Sequence, residues 1–186
     1  YRQTMLGEAQ DVLPVGNGSE YADIREWRSK QGLSAQPDIA IISSSLDIPL
    51  AAIEPYRSRK LLVITGAEAD PDKTGKLQQD GIDVIHAGND RRVDGRLMLP
   101  ELASRGYRSI YAIAGPAVFY TLLKAQILDR LYLTITQQLL GGNVFDTLTS
   151  GPLLAPARGM QLVQLYHDSH APADAGQLLG CFETGT

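Results

Sequence analysis

Short apolar runs alternate with amphipathic stretches over most of the chain. Five runs rich in β-branched or aromatic residues are predicted to be buried strands, at residues 39–43, 61–65, 84–86, 109–113 and 131–136. Between them, residues 73–79, 97–105 and 117–126 carry helix formers with apolar residues three and four apart, which predicts helices. This alternation is typical of an α/β sheet with helices on its faces.

The pattern changes after Gly151. Residues 160–168 and 177–182 alternate apolar and polar positions on either side of the connection Ser-His-Ala-Pro-Ala-Asp-Ala-Gly. This predicts a C-terminal antiparallel hairpin, so the sheet is expected to be mixed. Near the start, residues 11–36 are polar and irregular, and residues 21–31 are predicted to form a short exposed helix or an ordered insert.

Composition narrows the class of protein. A chain of 186 residues with 44% hydrophobic and 20% charged positions fits a single globular domain, residues 1–186. The net charge of −4 argues against general binding to nucleic acid or to an anionic membrane, which require basic faces. The single cysteine, Cys181, excludes an intramolecular disulfide and is expected to be a small buried hydrophobe.

Targeting signals are not evident. There is no signal peptide at the start and no apolar stretch of the roughly 20 residues that a membrane helix requires, so we expect a cytoplasmic protein. The first residue is Tyr1 rather than Met, and we therefore expect the chain to begin inside a longer protein.

A tight turn at Gly115-Pro116 is the strongest candidate for chemistry. Gly115 permits close approach of a ligand to the backbone, and Pro116 suits the first position of a helix. The amides of residues 117–120 are expected to lack helical acceptors, which makes an anion site suited to a phosphate. A plain connection between strand and helix, with nothing bound, accounts equally well for the turn alone.

The surrounding residues resemble the C-terminal reductase domain of the bacterial riboflavin-biosynthesis deaminase-reductase. The resemblance covers almost the whole chain and is carried by Ala114-Gly115-Pro116, Leu122-Leu123, Leu128-Asp129-Arg130-Leu131, Thr134-Ile135 and Leu140-Gly141-Gly142. It implies the three-layer dihydrofolate reductase-like fold, α/β with a mixed, mostly parallel central sheet, and NADPH as cofactor.

The resemblance also implies where the cofactor binds. The turn Ser43-Ser44-Ser45 is similar to the one that receives the adenosine 2′-phosphate, and its hydroxyls and amides are suitable donors. The diphosphate is expected on the helix that starts at Pro116, and Thr4 is similar to the threonine of the family's cofactor loop. The implied cofactor-binding residues are Thr4, Ser43, Ser44, Ser45, Ala114, Gly115, Pro116, Ala117, Val118, Phe119 and Tyr120.

The chain departs from the family at several positions. Tyr1-Arg2-Gln3 replaces the glycine-rich part of the cofactor loop, so the fold's N-terminal strands are expected to lie outside this chain. Ile113 occupies the place of a substrate-binding glutamate, and Val15 that of a phosphate-binding arginine. Arg25 or Arg28 could replace that arginine.

The leading hypothesis is an NADPH-dependent reductase that transfers hydride to a small heterocycle or a ribosylamino-pyrimidine, such as 5-amino-6-(5-phosphoribosylamino)uracil. A nucleotide-binding or assembly module that lost catalysis is the alternative, and a Rossmann-type NAD enzyme or a transferase is a third, which the hairpin opposes. The proton donor is unknown, because His86, His167 and His170 are expected to be structural or solvated. No metal site is expected, and an edge strand with a hairpin favours a homodimer.

Overall fold

The computed structural model describes residues 15–16, 18–139, 141, 143, 147–170 and 174–184. The chain divides into two compact units, residues 1–113 and residues 114–186. Each unit is built around one small sheet, and each is described by itself.

The first unit contains a parallel sheet whose strands are connected by helices. The order of the strands in the sheet is β1-β2-β3, with every pair parallel. Two 3-10 turns, Ser19–Tyr21 and Glu54–Tyr56, accompany the helices. The elements in chain order are α1 (Ala22–Lys30), β1 (Ile39–Ile42), α2 (Leu50–Ile53), β2 (Leu61–Thr65), α3 (Pro71–Gln79), β3 (Asp83–His86) and α4 (Gly95–Ser104).

The core of this unit is organised around β2, whose five residues are all buried. Successive side chains on a strand point to opposite faces, so both faces of the sheet are covered at β2. On one face, Ile39 pairs with Leu61 and Val63 with Val84. A buried cluster joins these residues to the surrounding helices and turns: Ile39, Leu46, Ile53, Tyr56, Leu61, Val63, Leu77, Ile82 and Val84.

The second unit contains α5 (Pro116–Ala125), β4 (Arg130–Thr136), β5 (Met160–Asp168) and β6 (Gln177–Thr184). Its strands are antiparallel in the order β4-β6-β5, with an irregularity between Leu162 and Gln164. The predicted C-terminal hairpin is therefore confirmed, and so is the expectation of an α/β fold with both parallel and antiparallel pairing. The helix predicted within residues 21–31 is confirmed as the exposed α1.

The sequence prediction is wrong for residues 109–113, which form no strand. Ile110, Tyr111 and Ile113 are 47%, 87% and 66% exposed. Apolar composition favours a strand only where a neighbour pairs with it and covers one of its faces, and no described strand does so here. The parallel and antiparallel strands accordingly form two separate sheets. The strand predicted at 131–136 is present as β4, but it is not buried, since Tyr132 and Ile135 are 62% and 51% exposed.

Candidate functional site

The carboxyl ends of β1, β2 and β3 lie at one edge of the parallel sheet, which we call the carboxyl edge. Ligands of open α/β sheets bind outside this edge. The turn Ser43–Ser45 follows β1 directly and therefore lies there. The amide of Ser43 donates to the carbonyl of Ile64 at 3.0 Å, which attaches the turn to β2.

Two of the three serine hydroxyls stabilise the turn itself. Ser43 Oγ accepts from the amide of Leu46 at 3.1 Å, and Ser45 Oγ accepts from the amide of Asp47 at 3.3 Å. Leu46 adopts the left-handed region, with φ 55°, and is buried, so packing holds this unusual conformation. Ser44 is exposed. Its hydroxyl is therefore the one of the three best placed to meet a ligand.

Lys73 brings a positive charge to the serine turn. The side chain of Asp70 caps α3 by accepting from the amides of Asp72 and Lys73, which fixes Lys73 in the first turn of the helix. Its Nζ donates to the carbonyl of Ser45 at 3.1 Å and to Oδ1 of Asp47 at 2.6 Å. The ammonium can attract an anion at this turn, although the Asp47 carboxylate offsets part of its charge.

The connection after β3 packs closely onto the ends of β2 and β3. A Cβ added at Gly66 would collide with the carbonyl oxygen of Asp90, and one added at Gly88 would collide with the carbonyl oxygen of Arg92. The amide of Asp94 donates to the carbonyl of Ala87 at 2.7 Å. Glycine is needed at both positions so that backbone can meet backbone, and the loop is held against the carboxyl edge.

Further polar groups lie at this edge. His86 Nδ1 is 3.0 Å from the carbonyl oxygen of Gly66, and it donates this bond when it carries the proton. Thr65 is fully buried, and its Oγ1 has no hydrogen-bond partner. Arg91 and Arg92 are exposed in the connecting loop. The carboxyl edge thus combines exposed cations with the exposed Ser44 hydroxyl, and both are suitable donors to a phosphate group.

In the second unit, α5 begins at Pro116 after the N-cap Gly115, and no side chain caps it. Gly115 has φ −71° and ψ 169°, which is ordinary extended backbone. A Cβ added there would meet no protein atom within 4 Å. The backbone conformation therefore gives no reason for a glycine at this position, and open space around the backbone is what the structure provides.

Fewer amides at the start of α5 lack a helical acceptor than the sequence suggested. The amide of Phe119 donates to the carbonyl of Gly115 at 3.0 Å, so the expectation that it lacks a helical acceptor is wrong. The amides of Ala117 and Val118 precede the first helical hydrogen bond, and Pro116 has no amide hydrogen. The Phe119 side chain is buried, and the Tyr120 ring lies against Gly151. Binding of a cofactor by residues 114–120 stays a prediction.

The remaining candidate residues are distributed as follows. Thr4 lies outside the described residues. Ile113 is exposed at the end of the first unit, and Val15 is 4% exposed in its interior. Arg25 Nη1 donates to the carbonyl of Gly16 at 2.7 Å, and Arg28 Nε donates to that of Ser34 at 2.8 Å. Their binding to substrate stays a prediction.

Other potential ligating groups are dispersed. His167 is exposed on β5, and His170 Nδ1 is 3.0 Å from Ser169 Oγ. Cys181 is buried, which confirms the expectation for this side chain. Within the described ranges, no group of three or more His, Cys, Asp and Glu side chains could hold a metal ion. None of the helices described is both long and apolar enough to cross a membrane.

Sequence reasoning missed Lys73, Thr65, Arg91 and Arg92. Lys73 lies 28 positions from the serine turn in sequence, and only the pairing of β1 with β2 and the capping of α3 bring the two together. The signal available for the arginines was their adjacency directly after a strand, at the end where ligands bind. A fully buried threonine has no sequence signature that distinguishes it from any other strand residue.

Comparisons with known proteins agree on one family. The family model described as the RibD C-terminal domain matches residues 5–171. The chain is 27% identical over 142 residues to the 2,5-diamino-6-ribosylamino-4(3H)-pyrimidinone 5′-phosphate reductase of Aquifex aeolicus, covering 76% of this chain and 63% of that protein. It therefore spans less than two thirds of that relative. A pyrimidine reductase-like protein of Corynebacterium diphtheriae is similar in structure, with TM-score 0.66, 20% identity, and coverage of 99% of this chain and 73% of that one, which confirms the expected fold.

Proposed function

This chain belongs to the RibD C-terminal domain family, and from that premise we propose that it is an NADPH-dependent reductase of a phosphorylated ribosylaminopyrimidine. The observation that carries the proposal is the start of α5. There, an exposed glycine that the fold itself does not require precedes a helix N-terminus without a side-chain cap. Such an N-terminus favours the negative charge of a diphosphate.

Each unit, taken by itself, offers donors suited to one phosphate group of the proposed cofactor. In the second unit, the amides of Ala117 and Val118 are suited to a diphosphate. In the first unit, the Ser44 hydroxyl and the Lys73 ammonium are suited to a 2′-phosphate. The lysine is the part of this set that would discriminate NADPH from NADH, because only NADPH carries the 2′-phosphate.

In the chemical step, the main role of the protein is to bind and orient the cofactor and the substrate. When bound, NADPH supplies the hydride. The residues of this chain would hold the phosphates of the cofactor and fix its position relative to the substrate, and such positioning accounts for a large share of the rate. Ile113 is expected at the substrate, where its apolar side chain cannot bind a polar group of the pyrimidine as a carboxylate would.

One relative supports the proposed substrate class. The Aquifex aeolicus protein is named as a reductase of a diaminopyrimidinone ribosyl phosphate. We expect this chain to reduce a substrate of the same class, either that pyrimidinone or the corresponding 5-amino-6-(5-phosphoribosylamino)uracil. NADPH oxidation followed by absorbance with each compound tests this. Absence of oxidation with both, together with no NADPH binding in a fluorescence titration, would refute the proposal.

A single substitution tests the cofactor preference. Lys73→Met keeps the aliphatic stem and removes the charge. Since Lys73 is 38% exposed and already paired with Asp47, we expect NADPH to bind about two- to fivefold more weakly, with NADH binding unchanged. Lys76→Met, on the same helix and also exposed, is the matched control. Equal losses in the two variants would show that Lys73 does not contact the 2′-phosphate.

A further inference from the structure

A cavity of the first unit lies at the edge of the parallel sheet opposite the carboxyl edge, where β2 and β3 begin. Its volume is about 170 Å³, and we call it the amino-edge cavity. Because the strands are parallel, it lies away from the carboxyl edge and shares no residue with the sites proposed for the cofactor. The residues that shape its chemistry are Arg57, Arg59, Lys60 and Asp83, together with the backbone of Gly81 and Ile82.

Arg59 has an unused donor in this region. Its Nε donates to the carbonyl of Pro37 at 2.7 Å, which fixes the guanidinium plane. Its Nη1 is buried and has no hydrogen-bond partner. A buried donor without an acceptor is costly, and the cost is greater for a charged group. Since Nη1 is closed to solvent, an anionic oxygen in the cavity would satisfy it after a small shift of the side chain.

Lys60 holds a second positive charge at the cavity. Its ammonium lies 5.9 Å from the centre of the Tyr107 ring, within the range of a cation–π interaction. Tyr107 is itself fixed, since its hydroxyl donates to Asp38 at 2.6 Å. An aromatic face does not use up the three N–H donors of a lysine, so Lys60 is oriented and can still donate to a ligand.

The other charged groups of the lining are engaged with the protein. Arg57 donates to Glu54 at 2.5 Å and, through Nη1, to the carbonyl of Asp80 at 2.8 Å. The carboxylate of Asp83 lies 3.9 Å from Arg105. The lining therefore carries an excess of positive charge in a chain whose net charge is −4.

We propose that the amino-edge cavity binds a phosphate group, through Arg59 and Lys60. The cavity is smaller than the roughly 300–1,000 Å³ of sites for drug-sized ligands, so it takes the phosphate group itself rather than a whole nucleotide. Arginine supplies planar paired donors and lysine a mobile point charge, a combination suited to a tetrahedral oxyanion. The phosphate group can belong to free phosphate or to a phosphate monoester.

Isothermal titration of the full chain with inorganic phosphate, in the presence of excess NADP⁺ and at ionic strength held constant with chloride, tests the proposal. The NADP⁺ occupies the phosphate-binding groups proposed for the cofactor, so that they do not contribute to the signal. We expect one saturable site. Arg59→Gln and Lys60→Met should each weaken it about tenfold or more, because each removes a charged donor. Asp83→Asn should strengthen phosphate binding, because it removes from the lining a negative charge that repels the anion. Lys76→Met, which removes an exposed charge outside the cavity, should leave it unchanged.

The weaker binding expected in Arg59→Gln and Lys60→Met could also result from a loss of folding. The stronger binding expected in Asp83→Asn could not, because a damaged protein does not gain affinity. A parallel titration with ribose 5-phosphate distinguishes the two possible ligands. Binding tighter than that of inorganic phosphate identifies a phosphate monoester as the ligand, and weaker binding identifies the free ion. Either result supports the proposed site. The proposal is overturned if wild-type protein shows no saturable phosphate binding. It is equally overturned if binding persists in both Arg59→Gln and Lys60→Met, or falls as much in Lys76→Met.

Discussion

Gly115→Ala distinguishes two reasons for a glycine before α5: the protein itself requires it for folding, or a ligand approaches the backbone there. Its φ of −71° and ψ of 169° suit alanine, and the added Cβ would meet no protein atom within 4 Å. Alanine is a poorer N-cap than glycine by a few tenths of a kcal/mol to about 1 kcal/mol, while it reduces the entropy of the unfolded chain by a similar amount. The two effects offset each other, so we expect the free energy of unfolding to change by less than about 0.5 kcal/mol.

Cofactor binding should respond differently. If a diphosphate approaches the backbone at Gly115, a methyl group there displaces it, and steric misfit of this kind costs about 1–3 kcal/mol. We therefore expect NADPH to bind about tenfold or more weakly, as measured by fluorescence titration, with the melting temperature nearly unchanged. Gly75→Ala in α3 is the matched control, because its Cβ also meets nothing within 4 Å. That substitution should stabilise the protein by about 0.5–1 kcal/mol and leave NADPH binding intact.

Either of two results would refute this reasoning about Gly115. Wild-type affinity for NADPH in Gly115→Ala would show that no ligand approaches the backbone there. A loss of about 2 kcal/mol or more in the free energy of unfolding, about 4–8 °C in melting temperature for a chain of this length, would show that the protein itself requires the glycine.

Three further predictions concern stability and assembly. Gly66→Ala should destabilise the protein by about 2–3 kcal/mol in a denaturant titration, because its Cβ would collide with the backbone of Asp90 and Arg91; wild-type stability would contradict the close packing. Burial and the hydrogen bond to Asp38 raise the pKa of Tyr107 to about 12, so the stability that this bond contributes is present below pH 10 and lost as the pH rises through 12. Tyr107→Phe should cost about 1 kcal/mol at neutral pH, and a difference from wild type that grows above pH 10 would contradict this. We also propose that the chain forms a homodimer through β5, an edge strand that exposes Leu165; light scattering should show a dimer that Leu165→Glu dissociates, and a monomeric wild-type protein would exclude it.

The parts of the fold that were predictable from sequence are those set by local pattern. The continuous apolar run of β2 and the alternation of β5 and β6 are each visible in the local sequence. Asp70 before Pro71 is a local signal for the start of α3, which the sequence prediction placed two residues late, at residue 73. Residues 109–113 have equally strong composition and form no strand. Pairing decides their structure, and pairing depends on neighbours that the local sequence does not specify.

The candidate site shows the same division. The serine turn and the Gly115-Pro116 turn are sequence-local features, and both were identified. Lys73 reaches the serine turn from another element, and the local sequence does not specify that contact. The sequence also misled at Phe119, because counting amides from the turn did not locate the first helical hydrogen bond.

The exposed segment at residues 109–113 has a practical consequence for handling the protein. It is short, uncharged and rich in isoleucine and tyrosine, which are the properties of segments that nucleate aggregation through intermolecular strand pairing. We therefore expect concentrated samples to form open-ended assemblies through this segment, and Arg108, directly before it, is the flanking charge that opposes their growth. Such growth continues with time and concentration, whereas a closed dimer saturates.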